Sequence, residues 1–316
     1  MNTILVTGGA GFIGSHLIRR LLIEKFHVLA VDNFNNAYDP TFKDENIKGS
    51  LNNPNFKFIK GDITDRIFLQ QVFNKNKINT IVHLAGRAGV RPSLTSPTLY
   101  YDTNIKGTYN ILELMRIHHI EQIIFASSSS VYGELKPPFR ESSLLKSPLS
   151  PYAVSKLSAE MGLYTYHKLY NIKPIILRFF SVFGPSGRPD MAPYLFTKSI
   201  LEGKAITIFG KGNSARDWTY IDDIVEGIVS AIKRKFSFEI INLGGNKPIR
   251  LSKLIETIES ILDKKAEKKY LPMLLTEVDK TWADIHKAQT LLLWKPKVSF
   301  DEGMKRFIDW YLEYRT

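Results

Sequence analysis

Along the first half of the chain, short apolar and β-branched runs alternate with longer stretches in which apolar residues recur every three to four positions. The runs Thr3 to Thr7, Val28 to Val31, Phe56 to Ile59, Thr80 to Leu84, Gln122 to Ala126 and Ile175 to Phe179 predict six buried strands. Between them, helical spacing predicts helices over about Phe12 to Glu24, Arg66 to Asn74, Pro97 to His118 and Pro151 to Tyr170. Parallel neighbours need a crossover, and a helix supplies it, so this alternation implies an α/β fold with a doubly wound parallel sheet.

Past Ser181 the rhythm changes. Loops rich in Pro and Gly (Gly184 to Pro193, Gly210 to Gly212, Gly244 to Pro248) separate shorter elements. Helices are expected over Tyr194 to Glu202, Ile221 to Arg234, Leu251 to Leu262 and Phe300 to Tyr314, with short strands near Ile206 and Ile240. The expected organisation is a sheet domain over residues 1–180. Residues 181–316 form mainly a smaller α/β substrate domain, with some chain returning to the first.

With 316 residues, 44% of them hydrophobic, the chain can bury a large core. Its first apolar run, Ile4 to Val6, stops at Gly8 and follows no basic leader. Neither a signal peptide nor a spanning helix is expected there, so a cytoplasmic location without a membrane partner is the expectation. The absence of cysteine removes disulfides, thiol nucleophiles and cysteine-ligated metals, and no metal is expected. The formal charge is +12, but Lys233 to Lys235 and Lys264 to Lys269 lack interleaved aromatics, so nucleic acid is not an expected partner. The surplus cations reflect compositional bias, attraction for an anionic substrate such as a sugar diphosphate, or both.

The segment Thr7-Gly8-Gly9-Ala10-Gly11-Phe12-Ile13-Gly14 ends the first strand and opens the first helix. Glycine there permits a tight turn and lets backbone amides reach a pyrophosphate, the arrangement of a Rossmann dinucleotide site. Asp32 ends the second strand, where a carboxylate accepts from adenosine ribose hydroxyls and repels a 2′-phosphate; NAD is therefore expected over NADP. Alternatively, Asp32 caps the turn with Asn33. Asp62, just after the third strand, is placed to reach the adenine, with Ile63 packed on it.

Tyr152 and Lys156 share a helix face at i and i+4. The same spacing recurs at Tyr164 with Lys168 and at Tyr194 with Lys198, so context must choose. Only Tyr152 opens a helix behind a serine N-cap, Ser150, with Pro151 at the first helical position, and only it follows a strand ending in serines. The ammonium of Lys156 is expected to lower the Tyr152 phenol pKa and make it a general base. One hydroxyl of Ser127-Ser128-Ser129-Ser130 can then donate to a sugar oxygen as it becomes a ketone.

With these residues assembled, the chain resembles the extended short-chain dehydrogenase/reductase family over nearly its whole length, most closely its UDP-glucuronate 4-epimerase group. The supporting segments are Thr7 to Gly14, His83-Leu84-Ala85-Gly86-Arg87-Ala88-Gly89-Val90-Arg91, Ser127 to Gly133, Tyr152 with Lys156, Gly184-Pro185-Ser186-Gly187-Arg188-Pro189-Asp190-Met191 and Trp282-Ala283-Asp284. The resemblance places the catalytic hydroxyl on Ser128. It implies tightly bound NAD along Gly8, Gly11, Phe12, Ile13, Gly14, Asp32, Asn33, Asp62, Ile63, Leu84, Ala85, Asn104, Tyr152 and Lys156. It further implies UDP-sugar contacts at Ser128, Ser129, Ser181, Arg188, Arg216 and Arg87, and a homodimer paired through the helices around Pro97 to His118 and Pro151 to Tyr170. Related dehydratases and decarboxylases carry acids where this chain has Ser129 and Ser130, which argues for simple epimerisation.

Arg188 either grips the C6 carboxylate of a uronic acid or forms a loop salt bridge with Asp190. Arg87 and Arg91 either face the diphosphate or stabilise their loop. Gly86, Ser186 and Phe183 depart from the pattern, standing for Ala, a bulky aromatic and Tyr. The competing expectations are a 4-epimerase of neutral UDP-hexoses, a dehydratase or decarboxylase, and a non-catalytic NAD-binding sensor.

Overall fold

A computed structural model describes residues 2–272, 276 and 278–315. All six expected strands form and pair in parallel: β1 (Thr3–Thr7), β2 (His27–Asp32), β3 (Phe56–Lys60), β4 (Thr80–His83), β5 (Gln122–Ser128) and β6 (Lys173–Phe179). A seventh strand, Glu239–Leu243, joins the edge beside β6, giving the order Glu239–Leu243, β6, β5, β4, β1, β2, β3. The order reverses between β1 and β4, and in such folds ligands bind beyond the carboxyl ends of the strands at that point.

Successive side chains of a strand face opposite sides, so both faces of this sheet must be covered. Ile4, Val6, Ala30, Val82, Ile124 and Leu177 face one core with the helices Phe12–Ile23 and Ile221–Ile232. Leu5, Leu29, Val31, Ile81, Phe125 and Ile176 face the other with Arg66–Lys75, Gly107–Ile117 and Pro151–Tyr170. Beyond the main sheet, Pro248–Arg250, Ala215–Tyr220 and Ser181–Phe183 make a three-stranded sheet, and Ile206–Phe209 pairs with Lys268–Leu271. Among the described residues no helix is long and apolar enough to cross a membrane.

Several elements differ from the sequence pattern, and two of them bear on the site. The expected helix from Pro97 to His118 is interrupted: Pro97–Tyr101 leads into a π turn, Asp102–Lys106, and then into Gly107–Ile117. The wide turn carries Asn104, buried and committed on both sides of its amide; such turns concentrate at functional sites. The pattern also gave no sign of the helix Thr41–Lys48, because the residues it buries include Lys43 and Asn46, which polar partners hold rather than an apolar stripe. The far side of this helix is clasped by the end of the chain. Arg315 pairs with Glu45 at 2.6 Å, and its guanidinium lies 4.0 Å from the Phe42 ring.

Candidate active site

The glycine loop and the ends of β1, β2 and β4 enclose a cleft of about 970 Å³, counting its open mouth. Gly8, Gly11, Phe12, Ile13, Gly14, Asp32, Asn33, Ile63, Leu84, Ala85, Arg87 and Arg188 all line it. A Cβ on Gly14 would stand 2.2 Å from the Gly8 carbonyl oxygen, and one on Gly8, at φ +71°, would stand 2.7 Å from the Ala85 nitrogen. Only glycine lets these three segments close together. Gly11 has no side chain to cap the helix Phe12–Ile23, so its first N–H groups, which no helical carbonyl can reach, open toward the cleft. Those donors and the acceptor at Asp32 fit a dinucleotide.

Asp32 holds its turn and borders the cleft at once. It caps its own turn, accepting from the Phe34 amide at 2.9 Å, and it lies in the cleft wall. It also accepts from the Lys43 ammonium at 3.1 Å, a buried pair absent from the sequence reading. Lys43 offsets the negative charge, so an anion near Asp32 meets less repulsion than a lone carboxylate would give. Asn33 donates to Asp62 at 2.7 Å, and Asp62 in turn holds the Thr64 amide and hydroxyl, so Asp62 braces the Asn33 end of the cleft while Ile63 lines it.

A continuous hydrogen-bond chain ties this cleft to the helix Pro151–Tyr170. The Thr108 hydroxyl donates to the Asn104 carbonyl at 2.6 Å, so toward His83 Nε2, 3.0 Å away, it can only accept. His83 therefore carries its proton on Nε2, and its bare Nδ1 accepts from the Thr7 hydroxyl at 2.6 Å, whose oxygen takes the Ala85 amide. Burial lowers the His83 pKa to about 3, in keeping with a neutral ring. The Asn104 amide nitrogen donates to the Arg87 carbonyl and to Ser155, whose hydroxyl donates to the Tyr152 carbonyl at 2.8 Å. Asn104, expected as a cofactor contact, thus spends its side chain on the Arg87 loop and the Tyr152 helix.

Ser150 caps that helix, accepting from the Ala153 amide at 3.1 Å, and Pro151 occupies its first turn. Tyr152 and Lys156 are buried at the end of the cleft: the ammonium donates to the Ala126 carbonyl at 2.8 Å, and Ala126 lines the cleft. Ser128 stands close enough to Tyr152 to favour its ionised form. One expectation is corrected here. Burial raises the Tyr152 pKa, with Ser128 and Arg188 the opposing influences, while Lys156 points to Ala126 and the Phe125 ring instead of the phenol. Burial also lowers the Lys156 pKa to about 8, against the attraction of Glu160. The rival pairs lie elsewhere: Lys168 sits over the exposed Tyr164 ring, and Tyr194 packs on Tyr311 in an aromatic cluster.

Behind the serines, Glu160 accepts two hydrogen bonds from Arg178, at 3.0 and 2.6 Å, and one from Ser127, all fully buried. The Arg178 guanidinium lies 4.9 Å from the Tyr132 ring. The sequence reading passed over Glu160, although it continues the i, i+4 row of Tyr152 and Lys156.

The Arg188 guanidinium meets Asp190 with Nε, at 2.9 Å, and with Nη2, which also donates to the Ala88 carbonyl at 3.2 Å. Its bidentate face is thus occupied by the loop salt bridge, and Nη1 has no partner among the described residues. Arg91 stacks on Phe209, its guanidinium 4.0 Å from the ring, joining the Arg87 loop to the strand Ile206–Phe209. Ser181 pairs with Trp218 in the neighbouring strand, which puts Ser181 and Arg216 on one face of the small sheet. Ser129 begins a short turn of helix after Ser128, which caps it by accepting from the Ser130 amide.

A parallel sheet with a glycine-loop cleft and a buried Tyr, Lys and Ser beside it fits a dinucleotide-dependent enzyme. The sequence pattern of the NAD dependent epimerase/dehydratase family matches residues 4–244, and the chain belongs to that family. A UDP-glucuronate 4-epimerase of Thermodesulfobacterium geofontis is 47% identical over 314 residues, covering 99% of this chain and 97% of that relative. The UDP-glucuronic acid 4-epimerase of Bacillus cereus, solved in complex with UDP-glucuronic acid and NAD, has a TM-score of 0.91 at 41% identity, covering 98% of this chain and 99% of that one. A UDP-glucose 4-epimerase of Thermotoga maritima, solved with UDP-glucose, also reaches 0.91, at 32% identity and with 98% and 99% covered.

Proposed function

We propose that this chain inverts C4 of UDP-glucuronate to give UDP-galacturonate, using tightly bound NAD. The observation that carries the reading is the buried Tyr152, under the influence of Ser128 and Arg188, beside a glycine-loop cleft that Arg188 lines. NAD, when bound, supplies the oxidant that takes hydride from C4 and returns it. Tyr152 takes the proton of the 4-hydroxyl as that hydride leaves, and Ser128 holds the sugar oxygen as it becomes a ketone. The ketone turns over within the site and is reduced on its other face, so no net redox change results. Gly8, Gly11, Phe12, Ile13, Gly14, Asp32 and Leu84 to Ala85 hold the cofactor, braced by Asn33, Asp62, Ile63 and Asn104. Ser129, Ser181, Arg87 and Arg216 hold the UDP-sugar. Residues 1–180 form the cofactor half, and residues 181–316 supply mainly the substrate half.

A cytoplasmic location and a homodimer belong to the same proposal. Support for the dimer comes from Tyr101, Tyr109 and Ile117 with Met161, Tyr164 and Tyr170, large apolar side chains left exposed along the two helical stretches expected to pair.

The test is to incubate the purified protein with UDP-glucuronate, adding no cofactor, and to read the products by NMR. UDP-galacturonate is expected. The Arg188–Asp190 pair favours a second reading, a neutral UDP-hexose as substrate, and turnover of UDP-glucose without turnover of UDP-glucuronate would establish that instead.

The two shifted pKa values give a pH profile. Tyr152 must lose its proton, and its pKa is raised; Lys156, whose pKa is about 8, must keep its proton to hold the cofactor at the Ala126 wall of the cleft. Below about 8, kcat/KM rises with pH as the phenolate fraction grows. Above it the loss of the ammonium cancels that growth and the profile levels. Lys156→Met is expected to lower the rate and to remove the bend; a bend retained in that variant would assign it to another group.

Arg188 has a further consequence. The 4-keto form of a uronic acid is a β-keto acid, prone to lose carbon dioxide, and Nη1 with its charge restrains the carboxylate. Arg188→Leu is expected to raise the UDP-pentose by-product several-fold, about the effect of one charged hydrogen bond. Loss of activity with no pentose would count against this role.

A further inference from the structure

Beside Tyr152 stands a second phenol that the reaction so far leaves unused. Tyr100, in the helix Pro97–Tyr101, is buried, and its ring packs edge to face on Tyr152 with centroids 6.1 Å apart. Its hydroxyl donates to the Ala88 carbonyl at 3.1 Å. The same oxygen accepts from Arg188 Nη2 at 3.2 Å, so one carbonyl joins the phenol to the guanidinium. A carbonyl oxygen has two lone pairs, and these two donors fill both. Gly89 tightens the junction: at φ +111°, a Cβ there would lie 3.2 Å from Pro92 Cδ and 3.6 Å from Arg188 Nη2. The Ala88 carbonyl therefore has little room to turn while Tyr100 holds it.

We propose that Tyr100 is a positioning residue for Arg188, fixing where the guanidinium stands relative to Tyr152 and so whether the 4-keto uronate is reduced or loses its carboxylate. This rests on the uronate reading given above. In decarboxylation the C5–C6 bond breaks and its electron pair enters the C4 carbonyl as an enolate. Carbon dioxide leaves, and C5 takes a proton from water. Return of the hydride to C4 then yields a UDP-pentose, and the cofactor ends as it began, oxidised. The bond breaks fastest when it stands perpendicular to the plane of the ketone, in line with the carbonyl π orbitals. A guanidinium held in one place restrains the carboxylate away from that alignment; one that drifts does not.

Tyr100→Phe keeps the ring contact and removes only the hydroxyl. With UDP-glucuronate, its ratio of UDP-pentose to UDP-galacturonate, read by NMR, is expected to rise about two- to tenfold, the equivalent of one hydrogen bond. Tm and bound NAD should stay at the wild-type level. Added to Arg188→Leu, the same substitution should change the ratio no further, because it acts through the guanidinium. A merely structural role would lower Tm and leave the ratio alone. An unaltered ratio in Tyr100→Phe, or an additive effect in the double variant, overturns the inference while the wild type still forms UDP-galacturonate. A wild-type protein that forms none overturns the uronate reading and this inference with it.

Discussion

Tyr152→Phe is expected to lower kcat by about a hundred- to ten-thousandfold, the range that a positioned acid–base group contributes. The substitution removes one oxygen from a ring that is buried and packed on Tyr100, so the cavity it leaves is small. KM for UDP-glucuronate and the NAD content of the purified protein should hold, because Ser155 fixes the backbone of this residue through its carbonyl and not through the phenol. Steady-state kinetics with product NMR checks this. A kcat within about tenfold of wild type would move the base to another group.

The largest effect on stability is expected at Glu160. Its carboxylate is the buried partner of Arg178 and of Ser127, and Arg178 Nη1 already has no partner of its own. Glu160→Leu leaves that guanidinium buried and uncompensated, which costs about 3–5 kcal/mol. In urea, the unfolding midpoint should fall with little change in slope. Glu160→Leu combined with Arg178→Leu should recover most of the loss, since well-packed apolar residues often replace a buried ion pair without penalty. A double variant as unstable as the single would show that the charge is not the cause. Because Glu160 also attracts the Lys156 ammonium, the single variant should shift the bend in the pH profile downward from about 8.

The strands were legible because a sheet covered on both faces writes itself as unbroken apolar runs: Ile4 to Val6 and Ile123 to Phe125 leave little to interpret. Tyr152 was legible for a different reason. Its spacing to Lys156 was common, but Ser150 and Pro151 marked a helix start, and the cap is formed. What escaped reading was polar and tertiary. Lys43 reads as a surface lysine until Asp32 is seen beside it, and Tyr100 as one more apolar position on a helix. The π turn at Asn104 left no mark in the periodicity, because its cause lies in partners at Arg87 and Ser155, far off in sequence. The effect of Lys156 on Tyr152 was misjudged because helical spacing gives which face a side chain shares, not where its end points. The lysine turned to Ala126.

The clasp between Arg315 and the helix Thr41–Lys48 joins two segments far apart in sequence, one of which supplies Lys43 to the wall of the cleft. During synthesis, Asp32 and Lys43 leave the ribosome long before Arg315. The glycine loop can therefore fold with its strand long before the helix beside it is pinned. Firm capture of a dinucleotide then depends on a contact made across the whole chain, so loss of the Arg315 side chain should loosen the hold on the cofactor.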